Sequence, residues 1–257
     1  MQYGSGINWQ DQHEEYIRQM QDSMRRSQER SLYESLYSVN QNSVGDGGFG
    51  AAFGGGGDPN PVNPPVPSCM DGWMTTNFDG TTFRNGDPIA QATDSSEWIA
   101  QINNQLPAWC YFNFDSNTGS TYGKLYNYFV VEQAAISGIG LAGYFVPSEE
   151  DWNELEACLG GNGIAGGKLK TTGTSDDTGL WLPPNSGATD EVGFSGLPSG
   201  YMSDGGVAGN LKSRGSFWTT TLDGGGSPMV MNLNFNRTDV YHGPDTKGKG
   251  YSIRLKQ

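Results

Sequence analysis

The sequence predicts an α+β, loop-rich head with short antiparallel strands and two helices, preceded by an N-terminal helix and a Gly/Pro linker. Three observations carry this. Glycine accounts for 39 of 257 residues and the hydrophobic share is only 35%, a composition suited to loops and short strands rather than a helical bundle. Residues 45–67 interrupt the chain with Gly-rich and then Pro-rich sequence. Beyond that break, Pro147-Ser148 followed by Glu149-Glu150-Asp151 reads as a helix start, and Met229–Phe235 alternates apolar and polar residues as a strand does.

Residues 8–38 read as a helix with Asn8 as its cap. His13, Ile17, Met20 and Met24 follow spacings of three and four, Trp9 and Tyr16 widen that face, and Leu32, Leu36 and Tyr37 form a second apolar patch. The stripe is narrow, as in a helix that seeks partner helices or a docking groove. Ser27 and Ser31 break the heptad, so a short coiled coil and a single helix lying on its own domain both remain open. Segment 58–67, with Pro59, Pro61, Pro64, Pro65 and Pro67, spans ~30 Å as polyproline II at ~3.1 Å per residue. The layout is an anchor or oligomerisation segment over 1–44, a spacer over 45–67 and a head over 68–257.

Within the head, Phe78-Asp79-Gly80-Thr81 reads as a tight turn. Glu97–Gln105 reads as a short helix ended by Pro107, and Asn113–Gly119 as a polar, turn-rich stretch. Tyr126–Ala135 is an apolar run leading toward the second helix. Ser148 caps that helix, whose first turn holds three acids where the dipole favours them. Trp152, Leu155, Glu156 and Leu159 share one stripe, and Gly160-Gly161 ends it. Gly160–Gly200 reads mostly as loop. Phe217–Thr221, Met229–Phe235 and Tyr251–Leu255 read as late strands.

The formal net charge is −13, with 15 basic against 28 acidic residues. No basic run is long enough for a nucleic-acid footprint or an anionic lipid surface, and no stretch is long and apolar enough to span a bilayer. The first residues lack the basic and apolar regions of a signal peptide. Of the three cysteines, Cys158 reads as a buried thiol on its helix, and Cys69 with Cys110 is a possible disulfide.

Candidate chemistry is sparse. His13 lies outside the head, and His242 precedes Gly243-Pro244 in what reads as a surface loop, with no nucleophile-elbow pattern beside it. Glu149, Glu150 and Asp151 are explained by the helix start, and Asp176-Asp177 and Asp190-Glu191 read as solvated loop acids. Asn113–Gly119 lacks the glycine position and closing Glu of a calcium loop. No catalytic residue, metal ligand or cofactor is assigned.

Several segments, in order, resemble the Fibrobacter succinogenes major paralogous domain family. They are Tyr122–Tyr128, Gly143–Trp152, Leu159-Gly160-Gly161, Ala165–Lys170, Trp181, Pro184–Thr189, Gly193–Tyr201, Phe217–Thr221 and Gly250–Arg254. The likeness covers roughly residues 69–257 and makes Gly72–Asn77 an early strand. It implies a C-type-lectin-like fold with variable, ligand-facing loops on an aromatic base. The calcium-site motifs of sugar-binding C-type lectins are absent, so calcium-dependent sugar binding is not implied. The corresponding ligand region, Tyr201–Asp245, also contains Trp218, Asn232 and Phe235, of which Trp218 and Phe235 read as core. Tyr201, Asn234, Asn236, Arg237, Tyr241 and His242 are the ligand-contact candidates. Trp9, Tyr16, Ile17, Met20 and Met24 are the anchor candidates.

An anchor, a spacer, a lectin-like head and no export signal together suggest a non-enzymatic bacteriophage virion protein. A head fibre, a decoration protein or a tail-associated fibre fits. Its expected partners are other virion proteins at the N-terminal segment and a host-surface glycan or protein at the head, in a homo-oligomer such as a trimer. The alternative is a bacterial cell-surface adhesin, and a glycan-active enzyme ranks below it.

Overall fold

The structure is a computed structural model that describes residues 68–257. The expected anchor helix, its residues Trp9 to Met24, and the linker lie outside the described residues.

The described chain is a mixed α+β domain of five α-helices and eight short strands. β1 (Ala90–Gln91), β2 (Ala108–Cys110) and β3 (Leu125–Tyr126) form one sheet, with β1–β2 parallel and β2–β3 antiparallel. α1 (Ser95–Asn103) lies between β1 and β2, and α2 (Ser116–Tyr122) follows a 3-10 turn at Phe112–Phe114. After β3 come α3 (Tyr128–Ser137), α4 (Glu149–Cys158) and α5 (Asn162–Leu169). β4 (Tyr201–Met202) pairs with β5 (Ala208–Gly209). β6 (Arg214–Leu222), β7 (Pro228–Asn234) and β8 (Val240–Pro244) form the main antiparallel sheet.

Five helices replace the two expected. α4 follows its sequence signals: the Ser148 hydroxyl accepts from the Asp151 N–H, and the Asp151 carboxylate accepts from the Ser148 N–H, a reciprocal capping box. α5 reads as loop in the sequence because its eight residues include three glycines, which weaken an isolated helix. Tertiary contact demands two of them. A Cβ at Gly166 would lie 2.1 Å from the Asp239 carbonyl oxygen, and one at Gly167 would lie 2.5 Å from that of Gly187. The turn expected at Asp79-Gly80 falls instead at Phe83–Gly86, closed by the Gly86 N–H to the Phe83 carbonyl.

Tyr251–Leu255 is not a ladder strand. The C-terminal segment bridges one residue at a time to several others: Tyr251 to Tyr126, Ser252 to Phe217, and Lys256 to both Trp73 and Phe145. Gln257 N–H donates to Gly72 O at 2.7 Å, so the two ends of the head meet. Gly72–Asn77, the expected early strand, runs alongside this segment through the Trp73 bridge and Met74 N–H to Leu255 O.

The main sheet divides two cores. One face carries Phe217, Met231, Leu233 and Val240 into a cluster with Trp152, Leu155, Leu169, Trp181 and Phe194. The other face carries Trp218 and Val230 into a cluster with Tyr126, Tyr128, Tyr251 and Leu255. Trp218 is fully buried as expected, and Phe235 packs at the margin of the first cluster.

The cysteines pair differently from expectation. Cys69 joins Cys158, and Cys110 is the buried free thiol. Helical geometry explains the error over Cys158. Six residues from Trp152 is 600°, or about 120° off the buried stripe at 100° per residue, so Cys158 lies on the exposed flank. Cys110 is held in the three-stranded sheet, within a separate buried cluster.

Basic side chains tie the loops together. Lys170 Nζ donates to the carbonyls of Ser186, Asn234 and Arg237, each at 2.9 Å. Arg84 Nη2 reaches the carbonyls of Ile139, Leu141 and Tyr144 at 2.6–2.8 Å. The fully buried Arg254 donates to Met74 O, Phe194 O and Asn77 Oδ1. In a loop-rich head these cations satisfy carbonyls that no regular ladder reaches.

Candidate ligand-binding face

Antiparallel register decides which candidate residues meet. Side chains directly opposite one another share a face. Ser216, Asn232 and Tyr241 are opposed across β6, β7 and β8, and Arg214 opposes Asn234. All five therefore lie on the face that also carries Trp218 and Val230. At the Trp218 end that face is covered by α3, where the Tyr128 ring meets Trp218 edge-on at 5.1 Å. Toward Arg214 the row turns polar, and Tyr241 is 51% exposed.

Asn232, expected among the ligand-region residues, is instead the buried centre of this row. Its Oδ1 accepts from Ser216 Oγ at 2.8 Å and from Arg214 Nε and Nη2 at 2.9 and 2.6 Å. Its Nδ2 donates to Val230 O and Tyr241 O. The amide is saturated, so it positions Arg214 rather than a ligand.

Tyr201 borders the same region. Gly200 N–H donates to Arg214 O at 2.8 Å, which brings β4 beside the start of β6. The Tyr201 ring meets Tyr251 at 6.4 Å, and Lys249 Nζ lies 5.7 Å from its centroid. Tyr251 donates its hydroxyl to Asp245 at 2.6 Å, and Lys249 pairs with Asp245 at 2.8 Å. Burial first, then the hydrogen bond to Asp245, pushes the Tyr251 phenol well above its usual range, while Arg214 opposes them. Tyr251 is thus a fixed neutral donor under the strip.

Three expected contacts lie elsewhere. Asn236 and Arg237 are exposed at the turn between β7 and β8, and Arg237 is paired bidentately with Asp239 at 2.7 and 2.5 Å. His242 is on β8 and not in a surface loop. Alternation turns it to the opposite face from Tyr241, toward α4. There Nδ1 lies 3.1 Å from Glu149 Oε1 and Nε2 lies 2.7 Å from Glu156 Oε1. Both ring nitrogens are engaged, so His242 clamps β8 to α4.

That clamp has a pH signature. Hydrogen bonding to Glu156, the largest influence, and to Glu149 raises the His242 pKa against the opposing effect of burial. Because the folded value exceeds the unfolded one, the clamp's contribution is complete below about pH 6.5 and is lost as pH rises through the raised value. The melting temperature should fall over that window in wild type and fall less in His242→Gln. Equal slopes in the two proteins would show that the clamp is not linked to proton binding.

A shallow depression of about 640 Å³ lies beside α4, lined by Glu149, Glu150, Asn153 and Glu154. Its carboxylates are partly committed, Glu149 to His242 and Glu154 to Lys256. Among the described residues no group of three or more His, Cys, Asp or Glu side chains is placed to hold a metal ion, and no helix is long and apolar enough to cross a membrane.

The family model of the Fibrobacter succinogenes major domain matches residues 70–256. The chain belongs to this family. No curated protein and no solved structure gives a significant match. In this Fibrobacter succinogenes major domain, Arg214 is the face residue that the sequence reading missed. A period-two reading of Arg214-Gly215-Ser216-Phe217-Trp218 would have placed Arg214 on one side with Ser216 and Trp218.

Proposed function

We propose that the head is a C-type-lectin-like binding module that engages a host-surface glycan or protein through the open end of the β6–β8 sheet. The observation that carries this reading is the row of Tyr241, Asn234 and Arg214 around the buried Asn232. It offers an aromatic face, an amide and a guanidinium, a set that suits ring stacking with directional hydrogen bonds. The meeting of the two chain ends and the long, irregular segment 170–200 support the lectin-like fold. Both ring nitrogens of His242 are held by carboxylates, which favours binding over catalysis.

We place the protein on a bacteriophage particle, anchored through residues 1–44 and presenting the head across the Pro-rich spacer. A second reading, a bacterial surface adhesin, shares the support of the Cys69–Cys158 disulfide. Disulfides persist outside the reducing cytoplasm, and both locations are outside it. Two measurements test the proposal. Antibody labelling in electron micrographs should place the protein on intact particles; labelling confined to a bacterial envelope selects the adhesin. On an array of host-surface polysaccharides and proteins, Tyr241→Ala should lose more than about tenfold in binding, as an aromatic anchor does. Unchanged binding by Tyr241→Ala would remove this face as the site.

A further inference from the structure

Charge bookkeeping singles out Arg214. Six basic side chains among the described residues are paired with carboxylates. Three more, Arg84, Lys170 and Arg254, are spent on carbonyl oxygens. Lys212 lies on an exposed turn. Arg214 is half-buried, held on a buried amide, and has no carboxylate partner among the described residues. A chain carrying 28 acids against 15 bases has ample means to neutralise it. Asp245, next to Tyr251, is taken by Lys249 and Tyr251.

The geometry also fixes which edge of the guanidinium is available. Nε and Nη2 both point at Asn232 Oδ1. That leaves the Nη1–Nη2 end, two parallel N–H donors, which is the fork that grips a carboxylate bidentately. Asn232 cannot swing away, because its own amide is tied to Val230 and Tyr241 carbonyls. On the same sheet face stand the exposed Tyr241 ring, which lies over Gly243, for an apolar sugar face, and Asn234, opposite Arg214, for hydroxyls.

We propose that this face selects a carboxylate-bearing sugar, a uronic-acid-type residue within a largely uncharged glycan, with Arg214 reading the carboxylate. The inference rests on the glycan-binding reading above and narrows it. One unpaired guanidinium on this face suits one carboxylate. A densely charged polyanion would meet the head's net negative field, which is screened only beyond about 8 Å at physiological salt.

The test follows the Arg214 Nε–H and the backbone of β7 and β8 by nitrogen-15 NMR on the full chain. The probes are methyl β-D-glucuronide, its methyl ester, methyl β-D-glucoside and N-acetylglutamate, each at millimolar concentration. The glucuronide should shift the Arg214 and Tyr241 signals and bind at least about tenfold more tightly than its ester, the loss expected when a charge-assisted hydrogen bond is removed. Arg214→Gln should bind acid and ester alike, and Tyr241→Ala should weaken both. The acid–ester comparison uses the unaltered protein, so it stands even if Arg214→Gln fails to fold. Equal binding of acid and ester overturns the carboxylate assignment and leaves the glycan face intact. A response to N-acetylglutamate without one to the glucuronide moves the site to acidic peptides and overturns the sugar class. No response at the face to either sugar overturns both this assignment and the glycan-binding reading beneath it.

Discussion

Reducing the Cys69–Cys158 disulfide should lower the melting temperature of the head by about 10 °C. The bond joins residues 89 apart, and closing a loop of that length removes about 4–5 kcal/mol of denatured-state chain entropy on the entropic model. For a domain of this size each kcal/mol moves the midpoint by about 2–4 °C, and measured disulfides commonly deliver less than the ideal value. The native contacts at this point are few enough for the effect to show. Cys69 is only partly buried, and Cys158 lies on the exposed flank of α4. The bond fastens the beginning of the head to the helix that also carries the Glu149–His242–Glu156 clamp. Calorimetry with and without reductant reads the shift, and Cys69→Ser with Cys158→Ser should reproduce it. Thiol titration supplies the control. Burial pushes the Cys110 thiol far above its usual range and leaves it unreactive. Oxidised native protein should therefore show no reactive thiol, unfolded protein Cys110 alone, and reduced unfolded protein all three cysteines. A free Cys158 in the unfolded, unreduced chain would mean that the pairing is wrong.

What the sequence made legible was local. α4 could be read because its determinants lie within a few residues of one another: the Ser148 cap, the acidic first turn, the apolar stripe and the Gly160-Gly161 stop. β7 could be read because its two faces alternate cleanly. α5 could not, since the reason for its glycines is the approach of Thr238–Asp239 and Gly187, more than seventy and about twenty residues away. β8 was hidden by Gly243-Pro244, and it exists because β7 supplies its hydrogen bonds. The Cys158 error was different in kind. The helix forms where its signals put it, and only the angular position of Cys158 on it separates a buried thiol from an exposed one. The ligand face was half legible. Tyr201, Asn234 and Tyr241 were chosen by residue type, which cannot separate Tyr241 from its neighbour His242. Only register does that, by turning adjacent residues of β8 to opposite sides. Arg214 escapes the sequence because its strand is apolar only from Phe217 onward, while the ladder itself begins at Arg214.

Lys170→Met should be the most damaging conservative substitution in the head, costing about 3–5 kcal/mol, since buried carbonyls that lose their donor cost about 1–3 kcal/mol each. Lys170 is fully buried, and among the described residues its hydrogen-bond partners are carbonyl oxygens rather than a carboxylate. Desolvation lowers its pKa to about 8, with Asp239 acting weakly in the other direction, so it remains mostly charged at neutral pH. Burying an ammonium is unfavourable unless every donor is satisfied, and here three carbonyls take the three protons at 2.9 Å each. Those carbonyls belong to Ser186, Asn234 and Arg237, which lie in the loop after Trp181 and across the β7–β8 turn. The ammonium thus occupies the centre of a shell of carbonyl oxygens and fixes two segments that no ladder joins. Methionine keeps the length of the stem and abandons all three oxygens; that of Asn234 keeps the Arg237 N–H at 3.3 Å, while those of Ser186 and Arg237 are left to find water or remain unpaired. Arginine keeps the charge, yet its planar fork cannot match a tripod, so Lys170→Arg should recover only part of the loss. Denaturant titration measures the total, and hydrogen exchange tells where it falls. Protection should drop at Ser186, whose N–H bonds Phe235 O, and at residues 235–240, before it drops in β6. The Asn234 end of the proposed ligand face would loosen with that turn, so binding should weaken in Lys170→Met even under conditions where the variant stays folded. If Lys170→Met melts within about 1 kcal/mol of wild type, as an ordinary surface change does, the carbonyl shell does not depend on the cation.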